Sequence, residues 1–599
     1  MDQSWRSFFE GIGLSVERQR EERSEDGHLL RLIEAYRRFG YRSAKVNPIA
    51  SSRECRGKSD QLKHERGGFS AGDLSQLFPT FGLLKEEKAP LSKIMERLEK
   101  IYCEGVGFEY FGFCSAEIES FIEKSIESSK GSFLSDEQKK VIHRSLCRAE
   151  SFEQILHLKF PGEKRFSLEG GETLIPMVEA LIEAGAEKGV KAIVMGMAHR
   201  GRVSVLANIL GKPYAQLRRE FDKTYRPEGL RGLGDVKYHQ GYASTFQTKM
   251  GRLLHFELSP NPSHLEAIDP VVEGKVRALQ DQKYQGDRRS VLPLLIHGDA
   301  SIAGQGVVYE TLQLSKLEGY QTGGTIHLVV NNQVGFTANP EETKSTPHCT
   351  DIVKSFGAPV FHLNSEDPEA CLQAITLALE IRQTFKSDLF LKLNCFRKYR
   401  HNEMDEPLFT QPLLYQRIKK KEGPRAKYQE RLIKEGVLTE EEAQEVLLRV
   451  KKEIEDAPLP PLTPPKFKRE SPQIKAVPLS KLQEYALALI QRPEGFELHP
   501  KINRLLEQRL EMLKGDPKVK KIDFGMAEQL AFASLLTEGI SIRLSGQDSG
   551  RGTFSHRHAI LVDQKSGERY IPLSHLSSKQ ASFSVYNSPL SEYAVMGFE

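Results

Sequence analysis

The sequence predicts a doubly wound α/β sheet, preceded by a helical N-terminal region and followed by an incomplete second α/β domain. Three observations predict it. Between residues 161 and 455, apolar stretches of strand length alternate with amphipathic stretches of helix length, the pattern of a parallel sheet. Two of those strands, VLPLLI (291–296) and TIHLVV (325–330), run into His297-Gly298-Asp299 and Asn331-Asn332. The 33 residues from Asp299 to Asn332 are about one βαβ crossover, which brings both side chains to the carboxyl ends of parallel strands. Ligands of open α/β sheets bind at those ends.

Taken in order, residues 1–46 form an N-terminal helix segment, with Leu29, Leu30, Leu32, Ile33 and Tyr36 at helical spacing. Residues 47–90 contain SSRECRGKSDQLKHERGGFSAG, polar and rich in glycine and serine, and read as a flexible loop. Residues 91–160 read as a helical domain built from LSKIMERLEKIY, AEIESFIEKSIES and DEQKKVIHRSLCRAESFEQIL. The α/β domain of 161–455 takes its strands from KAIVMGMA, VLPLLI, TIHLVV, PVFHL and LFLKL, with helices such as Glu310–Leu317 and Pro368–Phe385 between them. Seven prolines in 456–478 make a semi-rigid connector. Residues 479–599 open a second α/β unit, and the chain ends inside an amphipathic segment, SEYAVMGFE, so a truncated or split product is expected.

Composition narrows the function classes. The chain has 599 residues, 39% of them hydrophobic, enough for large buried cores. Its 85 basic and 81 acidic residues nearly cancel, which gives no reason to invoke nucleic acid or an anionic membrane. The basic run QRIKKKEGPRAKYQERLIKEG (416–436) is interspersed with glutamates and reads as a solvated helix. Seven cysteines without a Cys-x-x-Cys read as scattered reduced thiols. No stretch approaches the length of a transmembrane helix, and the start carries no signal-peptide run, so a bacterial cytoplasmic location is expected.

An aspartate, an asparagine and a backbone carbonyl nearby suit a hard cation such as Mg²⁺ that also holds a diphosphate. The Gly-Asp start and Asn-Asn end of 298–332 resemble the thiamine diphosphate signature. The surrounding blocks narrow the likeness: KFPGEKRFSLEGGE (159–172), MGMAHRGRVSVLANILGK (195–212), GDVKYHQGY (234–242), NPSHLEAIDPVVEGKVRA (261–278), STPHCTDI (345–352), HNEMDEP (401–407) and RLSGQDSGRGTFSHRHA (543–559). Together they resemble the first component of 2-oxoglutarate dehydrogenase, from Trp5 to Glu599.

The resemblance implies the thiamine diphosphate-binding fold and oxidative decarboxylation of 2-oxoglutarate in the tricarboxylic acid cycle. It implies thiamine diphosphate and Mg²⁺ as cofactors. The implied partners are the lipoyl domain of dihydrolipoamide succinyltransferase, which takes the succinyl unit, and dihydrolipoamide dehydrogenase, with the chain as a homodimer. The N-terminal segment is then expected to contact the acyltransferase core. An inactive or split-gene fragment, and a 2-oxoadipate dehydrogenase component, are the competing readings.

Residue by residue, the resemblance makes Asp299, Asn332 and the carbonyl of Val334 the Mg²⁺ ligands. Cofactor contacts are implied for His199, Gly298, Ala300, Gln547 and Glu592 as well. Glu592 is the expected activating carboxyl, partly protonated in a dry pocket, against the plainer reading of a glutamate at a helix start. His199 and His264 are expected to be catalytic and to bind substrate, with Arg165 near its distal carboxylate. His239 sits in the same blocks with a less definite role, and His556, Arg557 and His558 read as either a loop over the site or a loop anchor. One departure stands out: the family shows His-Gly-His where this chain has Tyr399-Arg400-His401, and a Gly to Arg change is forbidden if φ there is positive.

Overall fold

The computed structural model describes residues 25–50, 59–128, 134–221, 236–402, 404–458, 476–514 and 521–599. The expectations for residues 1–24, for Cys55 and for most of the proline-rich connector lie outside the described residues. The chain divides into two compact units, Met1–Thr463 and Pro464–Glu599.

The first unit is built on an eight-stranded sheet. After a small antiparallel pair, β1 (Leu77–Pro79) and β2 (Lys88–Pro90), its strands are β3 (Val106–Glu109), β4 (Ala192–Met197), β5 (Tyr242–Gln247), β6 (Leu253–Leu258), β7 (Val291–Gly298), β8 (Ile326–Asn331), β9 (Val360–Asn364) and β10 (Leu389–Asn394). They lie in the order β3-β9-β10-β8-β7-β4-β6-β5. The six inner strands are mutually parallel, and β3 and β5 close the two edges antiparallel. Each inner strand from β7 to β10 is buried almost end to end because helices cover both faces, which is why these strands read as continuous apolar runs. The edge strand β5 alternates half-buried and exposed positions instead.

The five strands expected from the sequence are all present, as is the helix Pro368–Phe385. Three strands of the eight-stranded sheet were not expected. β3 lies inside the stretch read as a helical domain and pairs with β9, so residues 91–160 are not helical throughout. β5 and β6 form a hairpin, and the chain reverses at Gly251, whose φ of +75° suits glycine. Within 59–90, short 3₁₀ turns and the β1–β2 pair replace the expected loop, because Leu62, Phe69, Phe78 and Leu83 are buried against the helix Glu25–Phe39 and its neighbours. The basic run is tied down by acids: Lys421 and Lys427 pair with Glu366, and Arg431 with Asp367, Glu369 and Glu435.

At the amino ends of the strands, Arg382 of the helix Pro368–Phe385 is fully buried. Its guanidinium donates to the carbonyls of Gly324 (2.9 Å), Val291 (3.1 Å) and Thr322 (3.1 Å), joining the starts of β7 and β8.

The second unit contains a parallel pair, β11 (Ile542–Gly546) with β14 (Phe583–Asn587), and a short antiparallel pair, β12 (Leu561–Val562) with β13 (Arg569–Tyr570). Its core gathers Leu489, Met526, Leu530, Leu536, Leu573 and Phe583. Among the described residues, no helix is long and apolar enough to cross a membrane.

Charge-assisted hydrogen bonds to buried carbonyls contribute more than neutral ones, so Arg382→Met should lower the unfolding free energy by about 3 kcal/mol. Urea denaturation of the variant followed by circular dichroism reads this directly.

Candidate active site

The sheet reverses its winding at β4. From β4 the chain moves to β6 on one side, then crosses to β7, β8 and β10 on the other. A crevice forms at the carboxyl ends where such a reversal occurs. Two of the expected site residues flank it. His199 follows β4 by two residues, and Asp299 follows β7 by one, while Met197 is paired with Ile296 across the two strands.

Asp299 opens the short helix Asp299–Gly304, and Asn332 follows the last residue of β8. The β7–β8 register pairs Gly298 with Val330, so both side chains leave the same edge of adjacent strands. The turn after β8 is tightly determined. Gln333 and Phe336 adopt φ of +65° and +58°, and the Asn332 side-chain oxygen accepts from the Val334 N–H at 3.3 Å. A Cβ on Gly335 would lie 3.0 Å from the Ala300 Cβ and 2.9 Å from Thr343, so this turn packs directly on the helix that Asp299 begins. Gly298 is the residue before that helix, and its carbonyl accepts from Ser301 at 3.1 Å.

Desolvation pushes the Asp299 carboxyl up to about 6, against the opposing charges of Lys344 and Lys392. Asp299 is half-buried, and a partly desolvated carboxylate gains more from a nearby cation than one in bulk water does. The oxygens of Asp299, Asn332 and the Val334 carbonyl form a hard donor set, so the residues present fit a divalent ion such as Mg²⁺.

Beside this pair stands a wall of rings. His199 lies 5.2 Å from Phe166, 5.1 Å from Tyr238 and 5.1 Å from His239, between ring centroids. His401 joins it, 5.4 Å from Phe166 and 4.2 Å from Phe336. Burial pushes His199 down to about 4 and His401 down to about 3, so both are neutral at physiological pH. His199 Nδ1 is 3.4 Å from the Tyr238 carbonyl, which only accepts, so Nδ1 carries the hydrogen and Nε2 is the basic atom. His239 Nε2 is 2.9 Å from the Ser263 hydroxyl, and Asn261 donates to the His239 carbonyl. That places exposed His264, next to Ser263, on the loop adjoining the wall.

Arg165 is buried, with Nε 3.3 Å from Glu153 and Nη2 3.3 Å from His157, and it precedes Phe166 (φ +51°) of the ring wall. The Tyr399-Arg400 departure is accommodated: Arg400 is not among the residues with positive φ, and Tyr399 stacks on His157 at 5.1 Å.

Sequence reasoning passed over Arg202. It is fully buried and donates to the carbonyls of Met197 (2.6 Å), Gln240 (2.9 Å) and Ser259 (3.1 Å), tying the ends of β4 and β6 to the loop that carries His239. The available signal was a second arginine, five residues after a buried strand, that opens the mostly apolar run 203–206.

In the second unit, Gln547 is exposed just beyond β11, and Glu592 is exposed two residues before the short helix Ala594–Phe598. The dry pocket expected around Glu592 is therefore absent from this unit taken by itself. Arg557 makes a two-pronged ion pair with Glu528 and donates to the Ser549 carbonyl, and His558 Nε2 is 2.9 Å from the Ser555 hydroxyl, which makes this loop an anchored one.

A mostly parallel α/β sheet with an oxygen-rich pair and neutral histidines at its reversal point defines a cofactor-binding enzyme fold. Residues 144–459 match the family model of the dehydrogenase E1 component, and residues 520–599 match the transketolase pyrimidine-binding domain. The first match covers more than half of the chain, and the chain belongs to the dehydrogenase E1 component family. Over 97% of its length it is 42% identical to the 2-oxoglutarate dehydrogenase E1 component of Azotobacter vinelandii, and it spans 62% of that protein.

Near the ring wall, burial pushes Glu172 up to about 8 and Glu169 to about 7, helped for Glu172 by Glu150. Each carboxyl stays neutral in the fold at pH values where it ionises once unfolded. Their contribution to stability is present below about pH 4.5 and is lost as pH rises toward 8. Glu172→Gln keeps an oxygen for the Gly170 N–H and removes that loss. It should stabilise the protein by on the order of a few kcal/mol at pH 8 and by little at pH 5, read from melting curves at the two pH values.

Proposed function

We propose that the chain binds thiamine diphosphate with Mg²⁺ and decarboxylates 2-oxoglutarate oxidatively, the succinyl unit passing to a lipoyl group of dihydrolipoamide succinyltransferase. The observation that carries this reading is the pairing of Asp299 and Asn332 on adjacent strand ends beside the neutral His199. Asp299, Asn332 and the Val334 carbonyl would hold the metal, which would neutralise the charge of the cofactor's diphosphate. The cofactor, when bound, supplies the carbon nucleophile and the electron sink that loss of carbon dioxide requires. His199, with its hydrogen on Nδ1, takes or shares a proton at Nε2 in the crevice. His264, exposed on the loop after β6, meets the charged end of the substrate. Arg165 acts indirectly, by fixing the backbone before Phe166. In the second unit, Glu592 would be the hydrogen-bond partner of a cofactor's pyrimidine ring, with Gln547 at the same strand-end edge of that unit.

The closed site belongs to a homodimer working with dihydrolipoamide dehydrogenase and the succinyltransferase, in the cytoplasm. The 42% identity to the Azotobacter protein, named as an E1 component, supports the reading that the chain works with other components.

Reduction of ferricyanide by the purified full-length protein should require 2-oxoglutarate, thiamine diphosphate and Mg²⁺ together. Asp299→Ala should lower kcat/KM at least about a hundredfold, the equivalent of losing on the order of 3 kcal/mol of cofactor and transition-state binding. Retained turnover in that variant would remove Asp299 from the metal site. With 2-oxoadipate, one methylene longer, kcat/KM should fall by about 10–200-fold, and a reversed preference would reassign the substrate.

A further inference from the structure

The turn that carries Asn332 and Val334 is held by a residue from the far N-terminal end of the described chain. Asn47 and Gln333, 286 positions apart, form a reciprocal amide pair. Asn47 Nδ2 donates to Gln333 Oε1 at 3.1 Å, and Gln333 Nε2 donates to Asn47 Oδ1 at 2.9 Å. Gln333 Nε2 also reaches the Cys395 carbonyl at 3.2 Å, just past β10. Gln333 lies between the two proposed metal-ligating residues, and its φ of +65° is a conformation that a side chain beyond glycine or asparagine adopts only when neighbours impose it.

The other end of the pair is fixed as well. Asn47 Oδ1 accepts from the Ile49 N–H at 3.1 Å, which closes a local turn. Ile49 is buried among Phe396, Tyr415 and Ile418. Arg417 donates to the Ile49 carbonyl, and Lys421 to that of Pro48. The arm is thus anchored on the same unit that forms the crevice, while the Asn47 side chain itself is exposed and fills no core space.

We propose that Asn47 is a positioning residue for the cofactor site. Through Gln333 it holds residues 332–334 in the conformation that presents the Asn332 oxygen and the Val334 carbonyl, and so couples the N-terminal arm to the affinity for the metal–diphosphate group. The proposal rests on the assignment of those two oxygens to Mg²⁺. Coupling of this kind is reciprocal: a bound cofactor tightens the arm as the arm tightens the cofactor site.

The test titrates thiamine diphosphate with Mg²⁺ into the full-length protein by calorimetry. Asn47→Ala and Gln333→Ala should each weaken binding about tenfold, the fold-change expected for two ordinary hydrogen bonds. The double variant should be no weaker than Gln333→Ala alone, because Asn47 acts on the turn only through Gln333. Hydrogen exchange in residues 44–50 should slow on cofactor addition in the unsubstituted protein and not in Gln333→Ala. Melting temperatures of the cofactor-free variants should match the parent. Asp299→Ala serves as the separate control. If it loses binding while Asn47→Ala and Gln333→Ala bind normally, or if their effects simply add, the proposed coupling is wrong and the metal assignment stands. If Asp299→Ala binds the cofactor as tightly as the parent, the metal assignment falls and the coupling falls with it.

Discussion

The register that lays β7 between β4 and β8 is the constraint on which the rest of the structure depends. Asp299, Asn332 and His199 have no contact with one another in the amino-acid sequence, and only the alignment of three parallel strands places them at one edge. A slip of one residue would turn every side chain of a strand to the opposite face and shift its end by roughly 3.3 Å, more than a metal–oxygen bond length. Burial on both faces makes such a slip costly, since β7 has seven consecutive buried residues from Val291 to His297.

Apolar burial alone resists slipping but fixes angles poorly, and the polar residues inside the sheet supply the direction. His297, on β7, sits with Nδ1 2.6 Å from Glu266 and Nε2 2.9 Å from His327 on β8. Glu266 also accepts from Ser301 in the helix that Asp299 opens. Against the cost of burial, the His297 ring and then the Ser301 and Asp269 hydrogen bonds hold the Glu266 carboxyl below its ordinary range, while burial and then the neighbouring Glu266 charge push the Asp269 carboxyl well above its own, so one proton is kept between them. This group could be mistaken for a metal centre, since Glu266, Asp269 and His297 approach one another closely. Its internal hydrogen bonds and its place directly behind Gly298 fit a brace between strands better. Arg202 braces β4 and β6 in the same way, with carbonyls as its partners, and burial brings its guanidinium down to about 9.

How much of this was legible in the sequence follows from the kind of force involved. The inner strands were readable because burial on two faces writes itself as unbroken apolar runs, and the metal-suited pair was readable because it ends two of those runs. β5 and β6 were missed because an edge hairpin alternates buried and exposed positions and overlaps a polar motif block. β3 was missed because four residues between helices give almost no periodic signal. The reach of Arg165 toward Glu153 and His157 was invisible for a different reason: a likeness assigns a residue type to a site, but the direction of a long side chain depends on which acid is nearest once the chain has folded. Glu592 shows the same limit, because a pocket that dries a carboxyl needs walls, and this unit by itself leaves Glu592 exposed.

The residues before His401 show how the site tolerates change. Tyr399 and Arg400 occupy positions where the family's smaller pattern would have allowed an unusual backbone, yet Arg400 needs no positive φ. His401 is set instead by its main chain: its carbonyl accepts from Arg200 at 2.9 Å and its N–H donates to Asp405 at 3.2 Å. Arg200 in turn donates to the Ser167 carbonyl at 2.7 Å, on the strand of chain that carries Phe166. The ring wall is therefore assembled through backbone groups, which every residue type carries. Side chains at 399 and 400 can then be spent on other contacts, Tyr399 on His157 and Arg400 on Glu406, without moving the imidazole at 401 away from Phe166 and Phe336.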